Sequence, residues 1–201
     1  MSGFNLEKGS SFNLTKEVPS LEIAGIGLGW NTGADLDVSA FCLGEDGHIF
    51  DKSGFVFFGS DYKTVLEGED GPRPYTSDGG VYGAIDELEG DDDGDSDEDG
   101  DLENMMVYFD RVSDEVKEIV VVVTIYEGAD NFGGVTSYCR IWDDSTQNEL
   151  CRYTLNDEFQ DADSIEVGKF HREGDGWSFT ALGNGRNGGI QGLIKKYAYK
   201  F

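Results

Sequence analysis

The stretch Ile119-Val-Val-Val-Val-Thr-Ile-Tyr126 decides the fold class. It is a continuous β-branched run, the pattern of a central strand covered on both faces. Working outward, Phe55-Val-Phe-Phe58 reads as a short buried run. Leu36-Asp-Val-Ser-Ala-Phe-Cys-Leu43 alternates imperfectly, with Leu36, Val38 and Ala40 on one side. Met105–Phe109, Tyr138–Trp142, Glu149–Leu155, Ile165–Phe170 and Trp177–Leu182 continue the strand pattern. Turn signals separate them at Glu45-Asp-Gly47, Asp143-Asp-Ser145 and Glu173-Gly-Asp-Gly176. Many short strands, 29 Gly and only 3 Pro point to an all-β chain, a sandwich or a barrel. Helix is scarce. Ser113–Lys117 could make one turn capped by Ser113, and Gly189–Tyr199 a short C-terminal helix with Ile190, Leu193, Ile194 and Tyr197 on one face.

The 201 residues suit one domain spanning 1–201, long enough to bury a core without disulfides. With 15 basic and 41 acidic side chains, the formal charge is −26. A surface of that sign repels phosphates, so nucleic acid and anionic membrane surfaces are excluded as partners, while cations and basic proteins fit. No apolar run reaches the roughly 20 residues that span a bilayer, so no membrane insertion is expected. No secretory signal is visible, and a cytoplasmic location is the expectation. Cys42, Cys139 and Cys151 are odd in number, widely spaced and free of any C-x-x-C pair, which suits buried small apolar side chains.

The acid is concentrated. Twelve carboxylates fall between Asp86 and Glu103, and no Lys or Arg occurs from Pro74 to Asp110. Such a block has nothing apolar to bury, yet strands flank it, so it reads as an acidic loop at about 86–104 within a folded domain. Within it, Asp95-Ser-Asp-Glu-Asp-Gly-Asp-Leu-Glu103 carries carboxylates at positions 1, 3 and 5, Gly at 6 and Glu at 9, the opening of a calcium loop. Position 12 is Met106 and the flanks read as strand, so a helix-loop-helix site does not follow. A cation site completed from elsewhere does. Asp35 and Asp37 lie two apart in a strand and project to one face. Glu127 and Asp130, with Asn131, follow the most apolar strand. If these loops share one end of the sandwich, the crowded carboxylates repel, and a hard divalent cation offsets that repulsion; oxygen-only ligands favour calcium. The competing reading is a solvated acidic run with no ligand.

Other chemistry finds little support. Gly183-Asn-Gly-Arg-Asn-Gly188 spells a dinucleotide turn, but the chain ends at Phe201, too soon for the returning strand, so a tight glycine turn against the sheet is expected. His48 and His171 lie apart from any nucleophile pattern, and no G-x-S-x-G elbow appears. Paired acids for glycoside chemistry lack a pocket signature.

Taken in order, several stretches carry a resemblance. They are Leu6-Glu-Lys-Gly9, Leu14-Thr-Lys-Glu-Val-Pro19, Gly25-Ile-Gly-Leu-Gly-Trp30, Gly33-Ala-Asp-Leu-Asp-Val-Ser-Ala-Phe41 and Gly54-Phe-Val-Phe-Phe58. Further on come Val122-Val-Thr-Ile-Tyr126, Asn131-Phe-Gly-Gly-Val135, Leu150-Cys-Arg-Tyr-Thr-Leu155, Gly168-Lys-Phe-His-Arg172 and Trp177-Ser-Phe-Thr-Ala-Leu-Gly-Asn-Gly185. Almost end to end, the chain resembles the TerD-type tellurium-resistance and stress-response proteins of bacteria and their phages. Ser60–Glu89 matches poorly.

The resemblance implies a calcium-binding β-sandwich with a short C-terminal helix. The family's Asp-Leu-Asp entry matches Asp35 and Asp37. Its Gly-Asp-Asn segment roughly matches Gly90–Gly94, and Gly-Asp-Asp-Glu matches Gly100–Glu103 with Leu102 in place of one Asp. The candidate metal ligands are therefore Asp35, Asp37, Asp91, Asp92, Asp93, Asp95, Asp97, Asp99, Asp101, Glu103, Glu127 and Asp130. The expected function is a non-catalytic, calcium-binding stress-response module acting through protein partners or as a homo-oligomer. The alternatives are a phage virion or assembly protein on the same sandwich, then located in the virion, and an acidic DNA mimic. Scattered, buried thiols argue against direct metalloid chemistry.

Overall fold

The computed structural model describes residues 4–5, 8–31, 33–87 and 100–198. Its centre is the β-branched run, which becomes β10 (Glu118–Glu127). Ile119, Val121 and Val123 point into the main core, while Val120 and Val122 join a second apolar cluster on the opposite face. A strand buried on both faces needs neighbours on both edges. β10 pairs antiparallel with β4 (Asp35–Leu43) on one side and β13 (Ser164–Glu173) on the other. Outside these lie β5 (Phe55–Val56), β14 (Gly176–Arg186) and β2 (Ser11–Asn13), so one sheet runs β2-β14-β13-β10-β4-β5.

The facing sheet runs β1-β12-β11-β3-β9-β8. These are β1 (Phe4–Asn5), β12 (Asn148–Thr154), β11 (Ser137–Asp143), β3 (Ile23–Trp30), β9 (Glu103–Tyr108) and β8 (Val81–Tyr82). Ile26, Leu28, Met105, Val107, Cys139 and Ile141 of this sheet share one core with Leu36, Val38, Ala40 and Cys42 of the other. Two sheets packed face to face, with no closed barrel, make the expected sandwich. Between β5 and β8 the chain makes an excursion that carries a two-stranded ribbon, β6 (Lys63–Thr64) with β7 (Arg73–Pro74).

β3 is a strand despite a glycine at every second position, which argues against one. Packing explains it. Ile26 and Leu28 face the core, and the glycines face outward under a layer of side chains laid flat on the sheet. A Cβ on Gly25 would stand 2.0 Å from the Trp142 ring, one on Gly27 2.2 Å from the Asp101 carboxyl, and one on Gly29 2.5 Å from the Tyr138 ring. Arg140 and Arg152 complete that layer, stacked over Trp142 and Tyr138.

A single helical turn, α1 (Leu14–Glu17), follows β2, and the C-terminal helix forms as α2 (Gly189–Tyr197) and covers the second cluster with Leu193 and Tyr197. Asp163 accepts from the Gly188 and Gly189 N–H groups at its start. Beneath it Glu166, fully buried, accepts from Lys196 at 2.6 Å and Tyr197 at 2.9 Å. All three cysteines are free and buried, as expected.

Three details differ from the sequence expectation. Residues 113–117 make the single turn, closed by Val116 N–H to Ser113 C=O at 3.0 Å with the Ser113 hydroxyl accepting from the Glu115 N–H at 3.2 Å, but it is a hydrogen-bonded turn and not a turn of helix, because Val116 goes directly into the core. The Gly183–Gly188 stretch is not a turn against the sheet but mostly the end of β14, which continues to Arg186. Gly183, at φ +53°, sits against the Tyr153 hydroxyl beside a register shift between β13 and β14, and the chain turns only at Gly188. In the Phe55–Phe58 run only Phe55 and Val56 form strand.

Gly25→Ala should destabilise the protein by about 1–3 kcal/mol in urea unfolding, since the added methyl overlaps a buried ring. Paired with Trp142→Ala, the loss should be less than additive; strict additivity would show that the ring does not occupy the glycine face.

Candidate metal centre

β4 is paired along its whole length by β10, but on its other edge β5 reaches only Ala40 and Phe41. The stretch from Asp35 to Ser39 therefore has an open edge. Buried backbone N–H groups demand an acceptor, and here a side chain supplies it. Glu103, at the start of β9 in the opposite sheet, accepts from the Val38 N–H at 2.8 Å. Its other oxygen accepts from the Glu87 N–H at 3.4 Å. One carboxylate, 2% exposed, thus ties together two sheets and the segment leading into the acidic run.

That segment brings Asp86 to the same place. Asp37, Asp86 and Glu103 each offer an oxygen, and the three oxygens lie within 4.8 Å of one another. Asp37 and Glu103 are buried and Asp86 is exposed, so the group opens to solvent on one side. Asp35 shares a strand face with Asp37 and sits across the ladder from Glu127.

The cluster is electrostatically unfavourable on its own. Burial, then the charges of Asp86, Glu127 and Glu87, lift the Asp35 carboxyl to about 6. Burial, then Asp35 and Asp86, lift Asp37 to about 7. Burial dominates at Glu103 and carries it to about 9, with Asp37 and Asp86 adding to the rise and the Val38 and Glu87 N–H groups pulling it back in part. Each carboxyl holds its proton to a higher pH than an ordinary carboxylate does, a shift that a bound cation reverses.

The donor set fits a hard cation. All three donors are carboxylate oxygens, and an ion at about 2.3–2.6 Å from each needs oxygens no farther apart than roughly twice that distance. No thiol or imidazole joins the group, so softer metals have no matching ligands there.

Of the candidate ligands read from the sequence, Asp37 and Glu103 lie in this group, with Asp35 adjoining it. Glu127 is exposed and neighbours Asp35; Asp130 is exposed on the following loop, outside the group. Asp101 is occupied otherwise. Its carboxylate takes Arg140 Nε at 2.8 Å and Nη2 at 2.7 Å and the Tyr138 hydroxyl at 3.1 Å, on the outer face of β3. Asp91, Asp92, Asp93, Asp95, Asp97 and Asp99 lie outside the described residues. Asp86 is the residue the sequence reading did not select. As the first acid of the run it has no distinguishing spacing; the pairing of β8 with β9 and the Glu87 N–H to Glu103 bond bring it there.

The fold and site together define a class: an all-β sandwich with a partly buried cluster of oxygen donors at an open strand edge. The TerD domain model matches residues 2–197, and the chain belongs to that family. The tellurium resistance protein TerD of Serratia marcescens is 30% identical over 96% of both chains. General stress protein 16U of Bacillus subtilis is 31% identical, and the uncharacterized protein YceE of the same organism 33%, each over 96% of both chains. The crystal structure of a homologue of telluride resistance protein TerD from Streptomyces coelicolor superposes with a TM-score of 0.65 at 18% identity, over 88% of this chain and 96% of that one. No helix among the described residues is long and apolar enough to cross a membrane.

The carboxyl groups give a pH signature. Asp35, Asp37 and Glu103 hold their protons more tightly folded than unfolded. Their contribution therefore favours the fold below the ordinary carboxylate range and is lost as pH rises through about 6 to about 9. In chelator at pH 8, Asp37→Asn should melt higher than the wild type; a lower melting temperature would show that the charge is already compensated within the chain.

Proposed function

We propose that this chain is a non-catalytic, calcium-binding stress-response module that acts through protein partners. Asp37, Asp86 and Glu103 form the core of the cation site, with Asp35 at its rim and the neighbouring acidic run available for further ligands. The observation that carries the reading is the convergence of three carboxylates from separate segments, two of them buried, at an edge where no basic group is among the residues that shift Asp37 and Glu103. The relatives named for tellurium resistance and general stress support the stress-response part. The donors are carboxylate oxygens from three separate segments, a set that does not impose a small octahedron and so favours calcium over magnesium. In this reading the cation holds the two sheets and the acidic segment in one arrangement, and that arrangement is what a partner meets. The thiols take no part: burial raises Cys42, Cys139 and Cys151, so no thiolate is available at the surface for metalloid chemistry.

Calcium should raise the melting temperature by mass action on the folded state, by about 2.7 kcal/mol of added stability at a hundred times its dissociation constant. Asp35→Ala with Asp37→Ala should remove most of that gain, and magnesium should give little of it. A wild-type melting curve that is identical in chelator and in millimolar calcium would refute the cation site.

A further inference from the structure

The segments that carry Asp86 and Glu103 are linked by the pairing of β8 with β9 and by the long Glu87 N–H to Glu103 bond at 3.4 Å. A further tie between them, made of shorter bonds, is Arg73, the first residue of β7. Arg73 is 5% exposed, and all three of its guanidinium nitrogens donate hydrogen bonds. Nη1 donates to the Gly83 carbonyl at 2.8 Å and to the Asn104 carbonyl at 2.7 Å. Nη2 donates to Asn104 Oδ1 at 2.8 Å, and Nε lies 2.7 Å from both oxygens of Glu69. Gly83 opens the stretch that leads to Asp86, and Asn104 follows Glu103 directly. One planar fork therefore grips both limbs of the cluster from behind, and its charge is balanced by Glu69 on its own excursion. Ile85, between Gly83 and Asp86, packs against Gly71 of the same excursion, where a Cβ would stand 2.7 Å from it.

We infer that Arg73 is a positioning residue of the cation site, and that the excursion from β5 to β8 is the brace that presents Asp86. This rests on the calcium reading above. Arginine is required because only a planar fork reaches two carbonyls, an amide oxygen and a carboxylate at once; lysine offers a point charge on a flexible stem.

Charge and position make opposite predictions, which isolates the inference. Arg73→Met removes a positive charge from an acidic region, so electrostatics alone would tighten cation binding. Loss of positioning would weaken it, by about 10–100-fold as for other outer-shell partners of metal ligands. The test is calorimetric titration of calcium into the full chain, wild type against Arg73→Met and Arg73→Lys, with terbium luminescence lifetime reporting water at the bound ion. The expected result is weaker calcium binding in both variants and a shorter terbium lifetime as water replaces Asp86. A merely structural role would lower melting equally with and without calcium and leave the dissociation constant unchanged; an unchanged or tighter constant overturns the inference. If Arg73→Met does not fold, Asn104→Ala, which removes one bond of the fork without changing charge, carries the test: severalfold weaker binding supports the brace and wild-type binding overturns it. A wild type that binds no calcium overturns the site reading and the brace with it, whereas a binding wild type with indifferent variants overturns the brace alone.

Discussion

The hydrogen bond from the Val38 N–H to the Glu103 carboxylate is the contact on which the site depends. A strand edge left open by a short neighbour needs an acceptor, and this chain meets the need with a side chain from the opposite sheet. An acidic group is thereby drawn into a place where burial disfavours its charge. Asp37 beside it on β4 and Asp86 on the adjoining segment raise the electrostatic cost further. The rest of the sandwich tolerates this because its stability comes from elsewhere, from the core shared by the two sheets and the second cluster beneath α2. A cation at the carboxylates would convert the unfavourable corner into a tie between sheets.

The two outer faces of the sandwich are finished in different ways. One sheet is covered by α2, anchored through Glu166. There burial would raise the carboxyl, but bonds from Lys196 and Tyr197 and the Lys196 charge outweigh it, so Glu166 stays ionised below the ordinary glutamate range. The other sheet is covered by its own side chains, lying in the groove that the β3 glycines leave. Asp101 belongs to that layer. Two acids separated by a single residue, Asp101 and Glu103, thus have different fates: one is neutralised by Arg140, the other is turned inward without a basic partner.

Much of the fold was legible because it rests on local pattern. The run at 119–126 has the composition of a doubly covered strand, and Asp35 and Asp37 had to share a face once β4 was read as a strand. β3 was not legible as a strand from composition, since its glycines make sense only with Trp142, Asp101 and Tyr138 in place, and those come from distant segments. The same holds for the site. Glu103 could be selected from its place in a calcium-like spacing, but nothing local separates Asp101, which Arg140 captures from β11, from a ligand. Asp86 enters through the β8–β9 pairing, and Arg73 through a clamp spanning 31 residues to Asn104. Long-range partners decide which members of an acid-rich segment matter, and composition counts those members as equal.

The most direct test is a crystal of the full chain grown in millimolar calcium, with anomalous scattering used to locate bound ions. The account predicts a peak bonded to oxygens of Asp37, Asp86 and Glu103 at about 2.3–2.6 Å. An empty corner in that crystal, with Glu103 still bonded to Val38 and any calcium bound elsewhere, would contradict it.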